Sequence, residues 1–497
     1  MHIIIVVNDP EDWTLSIPGV ELVGARSYLS EKRYSQMRSV MLFNLCRSYR
    51  YQSVGYYVSL LAEARGHRPQ PNVTTIQDMK LQTLARLYSD ELDDMISEGL
   101  QPIRSREFTL SIYFGRNLAK RYARLSWHLF NLFPAPLLRA HFVRDTDGWR
   151  LQRIAPIPAS DIPVSHQAFV AEAAKAYFAR PRRRLRREQM RYAMAILYSP
   201  DEPNKPSNLR AINKFVKAAR QLSIEAELIG RGDIGRLAEF DALFIRDTTA
   251  VNHYTYRFSR RAQAEGLAVM DDPESILKCT NKVYLAQLLD RHRISAPKTM
   301  IIHRDNTQAI IPTLGLPCIL KQPDSSFSMG VVKVEREEDL EEMVSKLLER
   351  SELIVGQEFA PTDFDWRVGL IDGEPLYACK YHMAKDHWQI IKSDGAGDCD
   401  YGKIETMPVS KAPPNVIETA VRAAGLIGDG LYGVDLKQCG QRIHVIEVND
   451  NPSVDAGFED AVLKDRLYLR VMESFLRRIE NRSSRSQTSE KTKLVSL

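Results

Sequence analysis

The chain has 497 residues, 44% hydrophobic and 26% charged, with a formal net charge of +5. That length exceeds a single core and calls for about two to four domains, while no stretch approaches the roughly 20 apolar residues of a membrane helix. Six cysteines without a C-x-x-C pair argue against a zinc site or disulfide framework, and so mild a charge argues against a nucleic-acid partner.

The N-terminus, Met1-His2-Ile3-Ile4-Ile5-Val6-Val7-Asn8, lacks a basic region and turns polar at once, so it reads as a first β-strand and not a signal peptide. With scattered cysteines, this points to the cytoplasm. A helical stretch containing Val58, Leu60, Leu61 and Ala62 stops at Gly66, and strand-like runs follow at Phe108–Phe114 and Ala140–Val143. Arg180 to Arg187 holds six arginines in eight residues. Such a run reads as a solvated joint or helix face, or as a dock for an acidic protein partner or for phosphates.

Residues 191 to 272 alternate strand and helix: strands at 193–198, 224–229, 242–245 and 267–270, and an amphipathic helix from Asn208 to Leu222. This predicts a small parallel sheet with crossover helices. Gly230-Arg231-Gly232-Asp233-Ile234-Gly235 fits G-x-G-x-x-G, but the next strand follows too soon for the helix that would hold a pyrophosphate, so a turn is expected.

The chemistry-bearing residues come later. Asn281-Lys282 opens a helix, where a lysine alone is unremarkable. Pro317-Cys318-Ile319-Leu320-Lys321 is an apolar strand ending in a cation, and the loop after it carries Ser325, Ser326, Ser328 and Gly330. A buried lysine beside hydroxyl-bearing loop residues suits an anion such as phosphate. The Walker pattern is absent. Leu353 to Phe359, ending Gln357-Glu358-Phe359, can line an apolar slot for a base. Asp365 and Arg367 sit on one strand, with Arg367 suited to bidentate phosphate or carboxylate recognition, and Lys380 on the next strand offers another inward cation. Gly433-Val434-Asp435 and Glu447-Val448-Asn449-Asp450-Asn451-Pro452 form a hairpin turning at Gln438–Gln441. Alternation puts Glu447 and Asn449 on one face, with Asp435 across from them. Three oxygen-bearing side chains on apolar strands suit Mg²⁺. His382 and His387 are off metal-binding spacing, and His387-Trp388-Gln389 reads either as a substrate contact or as an exposed loop.

In this order the blocks resemble the ATP-grasp superfamily, and most of all its RimK-type ligases. The resemblance implies a mixed α/β and α+β fold: an N-terminal RimK-like extension (1–185) ending in the basic linker, a small parallel α/β pre-ATP-grasp domain (186–275), an ATP-grasp catalytic domain (276–480) and a disordered tail (481–497). It implies that Lys282, Lys321, Ser325, Ser326, Gln357, Glu358, Phe359 and Asp365 bind ATP. Asp435, Glu447 and Asn449 would hold Mg²⁺, two ions by expectation, with Mn²⁺ as the alternative. Arg367 and Lys380 would serve catalysis. The expected reaction joins a carboxylate to an amine through an acyl phosphate, with an amino acid or peptide as substrate and a homo-oligomer as the working form. A kinase on the same fold, or a nucleotide-binding scaffold, are the alternatives. The sequence departs from the family at Phe327 and Met329, where more glycine is usual, and from Tyr381 to Trp388, which does not follow glutamate-adding members.

Overall fold

A computed structural model describes residues 2–37, 40–79, 90–146, 148–179, 190–202, 205–324, 330–385, 387–393 and 399–494. The basic run 180–187 falls outside them, as do Ser325 and Ser326. The chain divides into two units, Met1–Arg186 with Gly232–Ala238, and Arg187–Arg231 with Glu239–Leu497. Among the described residues no helix is long and apolar enough to cross a membrane.

In the first unit, strands β1 (His2–Val7), β2 (Glu21–Gly24), β3 (Val40–Asn44) and β4 (Arg68–Gln70) form a parallel sheet in the order β2-β1-β3-β4. The unbroken apolar run of β1 fits its place inside a sheet covered on both faces. Ile4 and Val6 pack toward Tyr28, Val58 and Ala62, while Ile5 and Val7 pack toward the second sheet. That sheet is an antiparallel meander of β5 (Glu107–Tyr113), β6 (Leu137–Asp145) and β7 (Gly148–Pro156). Leu110 and Ile112 alternate inward and share a core with Met41 and Phe43. The turn expected at Gly230–Gly235 is a 3-10 stretch, Arg231–Glu239. A Cβ on Gly235 would lie 2.4 Å from the Asn131 side-chain oxygen, so close packing accounts for that glycine.

The second unit begins with β8 (Tyr192–Leu197), β9 (Ile224–Ile229), β10 (Ala242–Ile245) and β11 (Ala268–Met270), parallel in the order β9-β8-β10-β11. This sheet repeats the first. The helix Val54–Ala64 answers to Tyr254–Ala264, β4 to β11, and the helix Val73–Asp78 to Pro273–Thr280, at a constant offset. Details recur as well. Ser59 Oγ donates to the Pro71 carbonyl at 2.7 Å and Ser259 Oγ to the Asp271 carbonyl at 2.6 Å. Gly66 and Gly266 both take positive φ after their helices, where glycine avoids the Cβ penalty. Asn72 and Asp272 both cap the following helix.

Two antiparallel sheets follow. One has the order β12-β15-β13-β14, with β12 Thr299–Ile302, β13 Cys318–Lys321, β14 Val331–Val334 and β15 Ile354–Glu358. The other comprises β16 (Phe364–Ile371), β17 (Glu374–His382), β20 (Ile404–Met407), β21 (Leu431–Cys439) and β22 (Arg442–Asn449), in the order β20-β17-β16-β21-β22. Strands β18 (Ile391–Ser393) and β19 (Cys399–Tyr401) pair separately. The chain ends in a helix, Asp465–Leu494, which runs through most of the stretch expected to be disordered. Its first turns are anchored by Leu467, Tyr468, Val471, Met472 and Phe475, and propagation from a packed start is cheap compared with nucleation.

Candidate active site

The five-stranded sheet builds the charged face. Its register sets Cys379 opposite Arg367, Arg367 opposite Asp435, and Asp435 opposite Glu447. Because side chains alternate along a strand, Asp365, Arg367, Asp435 and Lys437 share one face with Glu447. Asn449 stands opposite Gly433, two residues from Asp435. The other face is apolar: Trp366, Val368, Leu370, Val434 and Leu436 pack on Val416, Ala420 and Ala423 of the helix Pro414–Gly425.

Charges on the working face are paired. Arg367 binds Asp435 through two nitrogens, Nη2 reaching Oδ2 at 2.6 Å, and its guanidinium lies 5.0 Å from the Tyr381 ring centroid. Lys437 Nζ donates to Asp365 Oδ1 at 2.6 Å and to Thr362 Oγ1 at 2.8 Å. Lys282 Nζ meets Glu447 Oε1 at 3.2 Å. Asn449 Nδ2 donates to Asp435 Oδ2 at 3.2 Å. Burial would lower the pKa of Arg367, but Asp435 and Tyr381 outweigh it and hold the guanidinium charged. Burial raises Asp435 despite that arginine.

Lys321 ends β13, which pairs with β15 so that Lys321 lies opposite Val355. Leu320, Cys318 and Ile354 turn the other way, into the core with Val344 and Leu347. The loop after Lys321 is closed at its base by Gln322 N–H donating to the Gly330 carbonyl at 2.9 Å. It is fastened to the helix Lys282–Arg291 by Asn281 Nδ2 on Asp324 Oδ1 at 2.8 Å and by Lys282 N–H on the Pro323 carbonyl at 2.9 Å. These bonds bring Lys282 and Lys321 to one cavity of about 350 Å³, whose other walls include Leu285, Met300, Val355, Gln357 and Ile446. Burial pushes the Lys321 ammonium down from 10.5 to about 8, Glu447 opposing and Lys282 assisting. Lys282 and Lys321 beside apolar wall residues, with Lys298 and Asp290 also lining the cavity, suit a base joined to a phosphate chain.

The remaining expected residues fall into place unevenly. Gln357 lines the cavity and donates to Thr299 Oγ1 at 3.0 Å. Glu358 accepts from Lys298 N–H at 2.9 Å, and Phe359 lies under the Lys333 ammonium at 4.4 Å and near Trp388. Neither is among the residues lining the cavity. Lys380 does not join Arg367. It pairs with Trp366 in the register, and its ammonium sits 4.5 Å from the Phe364 ring and 5.2 Å from the Trp366 ring. The reason is the period of two: with Cys379 opposite Arg367, the next residue must face the other way. Sequence reasoning passed over Lys437, although Asp435-Leu436-Lys437 alternates onto the same face.

Two carboxylates and an amide oxygen form an all-oxygen donor set, and burial leaves Asp435 short of compensation even with its arginine. Such a set fits a hard divalent ion. Among the described residues no three His, Cys, Asp or Glu side chains gather as a metal group, so a site here would draw on Asn449.

Two antiparallel sheets, one ending a strand in Lys321 beside the helix-start Lys282 and the other carrying an Asp/Glu/Asn row, follow a small parallel sheet, and the family comparison makes this an ATP-grasp protein. Comparison with known families gives the finer placement. Residues 279–462 match the RimK-like ATP-grasp domain and residues 25–173 the RimK-like ATPgrasp N-terminal domain; the chain belongs to the RimK-like ATP-grasp family. It is similar to a probable alpha-L-glutamate ligase of Vibrio vulnificus, 27% identical over 233 residues, covering 46% of this chain and 74% of that one. A probable alpha-L-glutamate ligase of Cellvibrio japonicus is 28% identical over 235 residues, with the same coverage. Among solved structures, D-alanine–D-alanine ligase from Bacillus anthracis aligns with a TM-score of 0.46 and 13% identity, over 59% of this chain and all (100%) of that one.

Proposed function

We propose that this chain binds Mg-ATP in the cavity beside Lys282 and Lys321 and uses it to join a carboxylate to an amine, the substrate being an amino acid or peptide. The observation that carries the reading is the row Arg367–Asp435–Glu447, backed by an apolar face and facing two lysines that a closed loop holds together. Membership of the RimK-like ATP-grasp family supports ligation, and two similar proteins are named as probable alpha-L-glutamate ligases.

In this reading Lys282 and Lys321 take the phosphate oxygens, and Gln357 and Val355 bound the base. The γ-phosphoryl group passes to a substrate carboxylate oxygen, giving an acyl phosphate and ADP. The amine then attacks the carbonyl carbon and phosphate leaves. Charge grows on phosphoryl oxygens during the first step, so fixed cations there stabilise the transition state. Arg367, on the same face, orients the acyl phosphate. Asp435, Glu447 and Asn449 would hold Mg²⁺, which when bound neutralises phosphoryl charge and aligns the phosphate chain. The test is phosphate release by the purified protein against amino acids and short peptides, followed by mass spectrometry. A substrate-dependent release with a product heavier by one amino acid less water supports the reading. ADP with a phosphorylated product, or no turnover across the screen, sinks it.

A further inference from the structure

In open parallel sheets, ligands bind outside the carboxyl ends of the strands where neighbouring connections run in opposite directions. Both copies of the repeated sheet have such a point. In the second copy it lies between β8 and β10, and the loop after β10 starts with Arg246. That side chain is fully buried (0% exposed). It donates to Asn451 Oδ1 at 2.6 Å and to the Pro452 carbonyl at 2.8 Å, while Asn451 Nδ2 returns a bond to the Asp247 carbonyl at 2.6 Å. This edge therefore holds the turn that leaves Asn449.

In the first copy the corresponding point lies between β1 and β3, and the loop after β3 runs from Leu45 to Ser53. The loop is firmly built. Arg47 N–H donates to Asn8 Oδ1 at 2.7 Å, the Tyr49 hydroxyl to the Asn44 carbonyl at 2.6 Å, and Ser53 Oγ to the Ser48 carbonyl at 2.8 Å. A Cβ on Gly55 would stand 2.4 Å from that same Ser48 carbonyl, so only glycine lets the helix carry the loop so closely. Here the edge encloses a cavity of about 390 Å³. Arg50 from the loop and Arg153 from β7, both exposed at its mouth, line it together with Ile76, Met79, Phe133 and the Asp78 carboxylate. Arg47, also in the wall, is engaged by Asp12, whereas Arg50 and Arg153 make no ion pair among the described residues.

We propose that this cavity is a second small-molecule site, for an organic anion with an apolar body: a carboxylate or phosphate held by Arg50 and Arg153, its body against Phe133 and Met79. Unpaired guanidinium groups beside an apolar floor recognise an oxyanion by charge-assisted hydrogen bonds while the floor buries carbon. The site stands on the first unit alone and does not depend on the ligase reading.

The test is calorimetric titration of the full chain with phenylacetate, phenyl phosphate and neutral phenylacetamide, and with acetate and inorganic phosphate as anions without a body. One or both phenyl anions should bind at least about tenfold more tightly than the amide and than their body-free counterparts, and the tighter one names the source of the oxyanion. Arg50→Gln and Arg153→Gln should each weaken that binding by about tenfold, with Mg-ATP affinity and melting temperature unchanged. No anion binding up to about 10 mM, far weaker than a built site gives, overturns the proposal. So does equal binding of the amide or the body-free anions, or a dissociation constant that ignores both substitutions in a folded protein.

Discussion

Lys321 and Lys380 both extend from apolar strands, and the sheets send them to different environments. Lys321 meets the cavity beside Lys282, so Lys321→Ala should lower kcat by about a hundredfold or more, as removal of a transition-state cation does. Glu447→Ala should do the same, with melting temperature held. Lys380 lies over two rings on the opposite face; Lys380→Ala should leave turnover within about threefold and cost about 1 kcal/mol of stability, read by denaturant midpoint. Burial that lowers the Lys321 pKa to about 8 also sets a pH dependence. The ammonium is charged below that value, so kcat/KM for ATP should be level under pH 8 and fall as pH rises through it. Bound phosphate favours the charged form, so kcat should hold to higher pH. An identical profile in Lys321→Arg would remove Lys321 as the titrating group. The Glu447 and Asn449 pairing was legible in the sequence because alternation within one strand decides it. The fate of Lys380 was not, because it depends on the register between β16 and β17.

Among the elements, the hairpin turn at Asp372 and the final helix show how one half-buried residue fastens a strand pair. Asp372 accepts from Ser474 Oγ at 2.7 Å and Arg478 Nη2 at 2.9 Å, and pairs with Arg477. Burial would raise its pKa, but these hydrogen bonds outweigh burial and hold it below 3.8. A depressed carboxylate contributes stability above its unfolded pKa and loses it as pH falls through the folded one. Asp372→Asn should therefore cost about 1 kcal/mol at pH 7, given partial solvent screening. The difference should shrink as the pH falls through the folded pKa, which lies below 3.8, and a difference that stays constant into strong acid would refute the pairing. The parallel sheet at 191–272 and the late hairpin were readable from period and turn residues. The duplication was not, because the two copies share few identities. Its trace is Ser59-x-x-Ala62-x-Ala64-x-Gly66 against Ser259-x-x-Ala262-x-Ala264-x-Gly266, small residues kept where a helix meets its sheet. Strand β7 escaped notice because the successive polar residues Gln152 and Arg153, at a register shift against β6, break the alternation begun by Trp149, Arg150 and Leu151.

Across the molecule, the last helix reaches back to the sheet β8–β11. The Tyr468 ring lies 4.7 Å from Phe215 and the Phe475 ring 5.3 Å from Phe244, and all four belong to one core with Met194 and Ile196. Phe475→Ala should cost about 3–5 kcal/mol, measured by chemical denaturation; a loss under about 1 kcal/mol would mean that the helix does not complete this core. The catalytic sheets thus lie, in chain order, between a layer and its cover. A ribosome adding about 5–20 residues each second finishes the strands of that layer roughly 10–40 seconds before the residues that roof it emerge. For that interval Phe215 and Phe244 await a lid that has not been made, so the nascent chain has a window in which a chaperone, or a neighbouring chain, can reach them first.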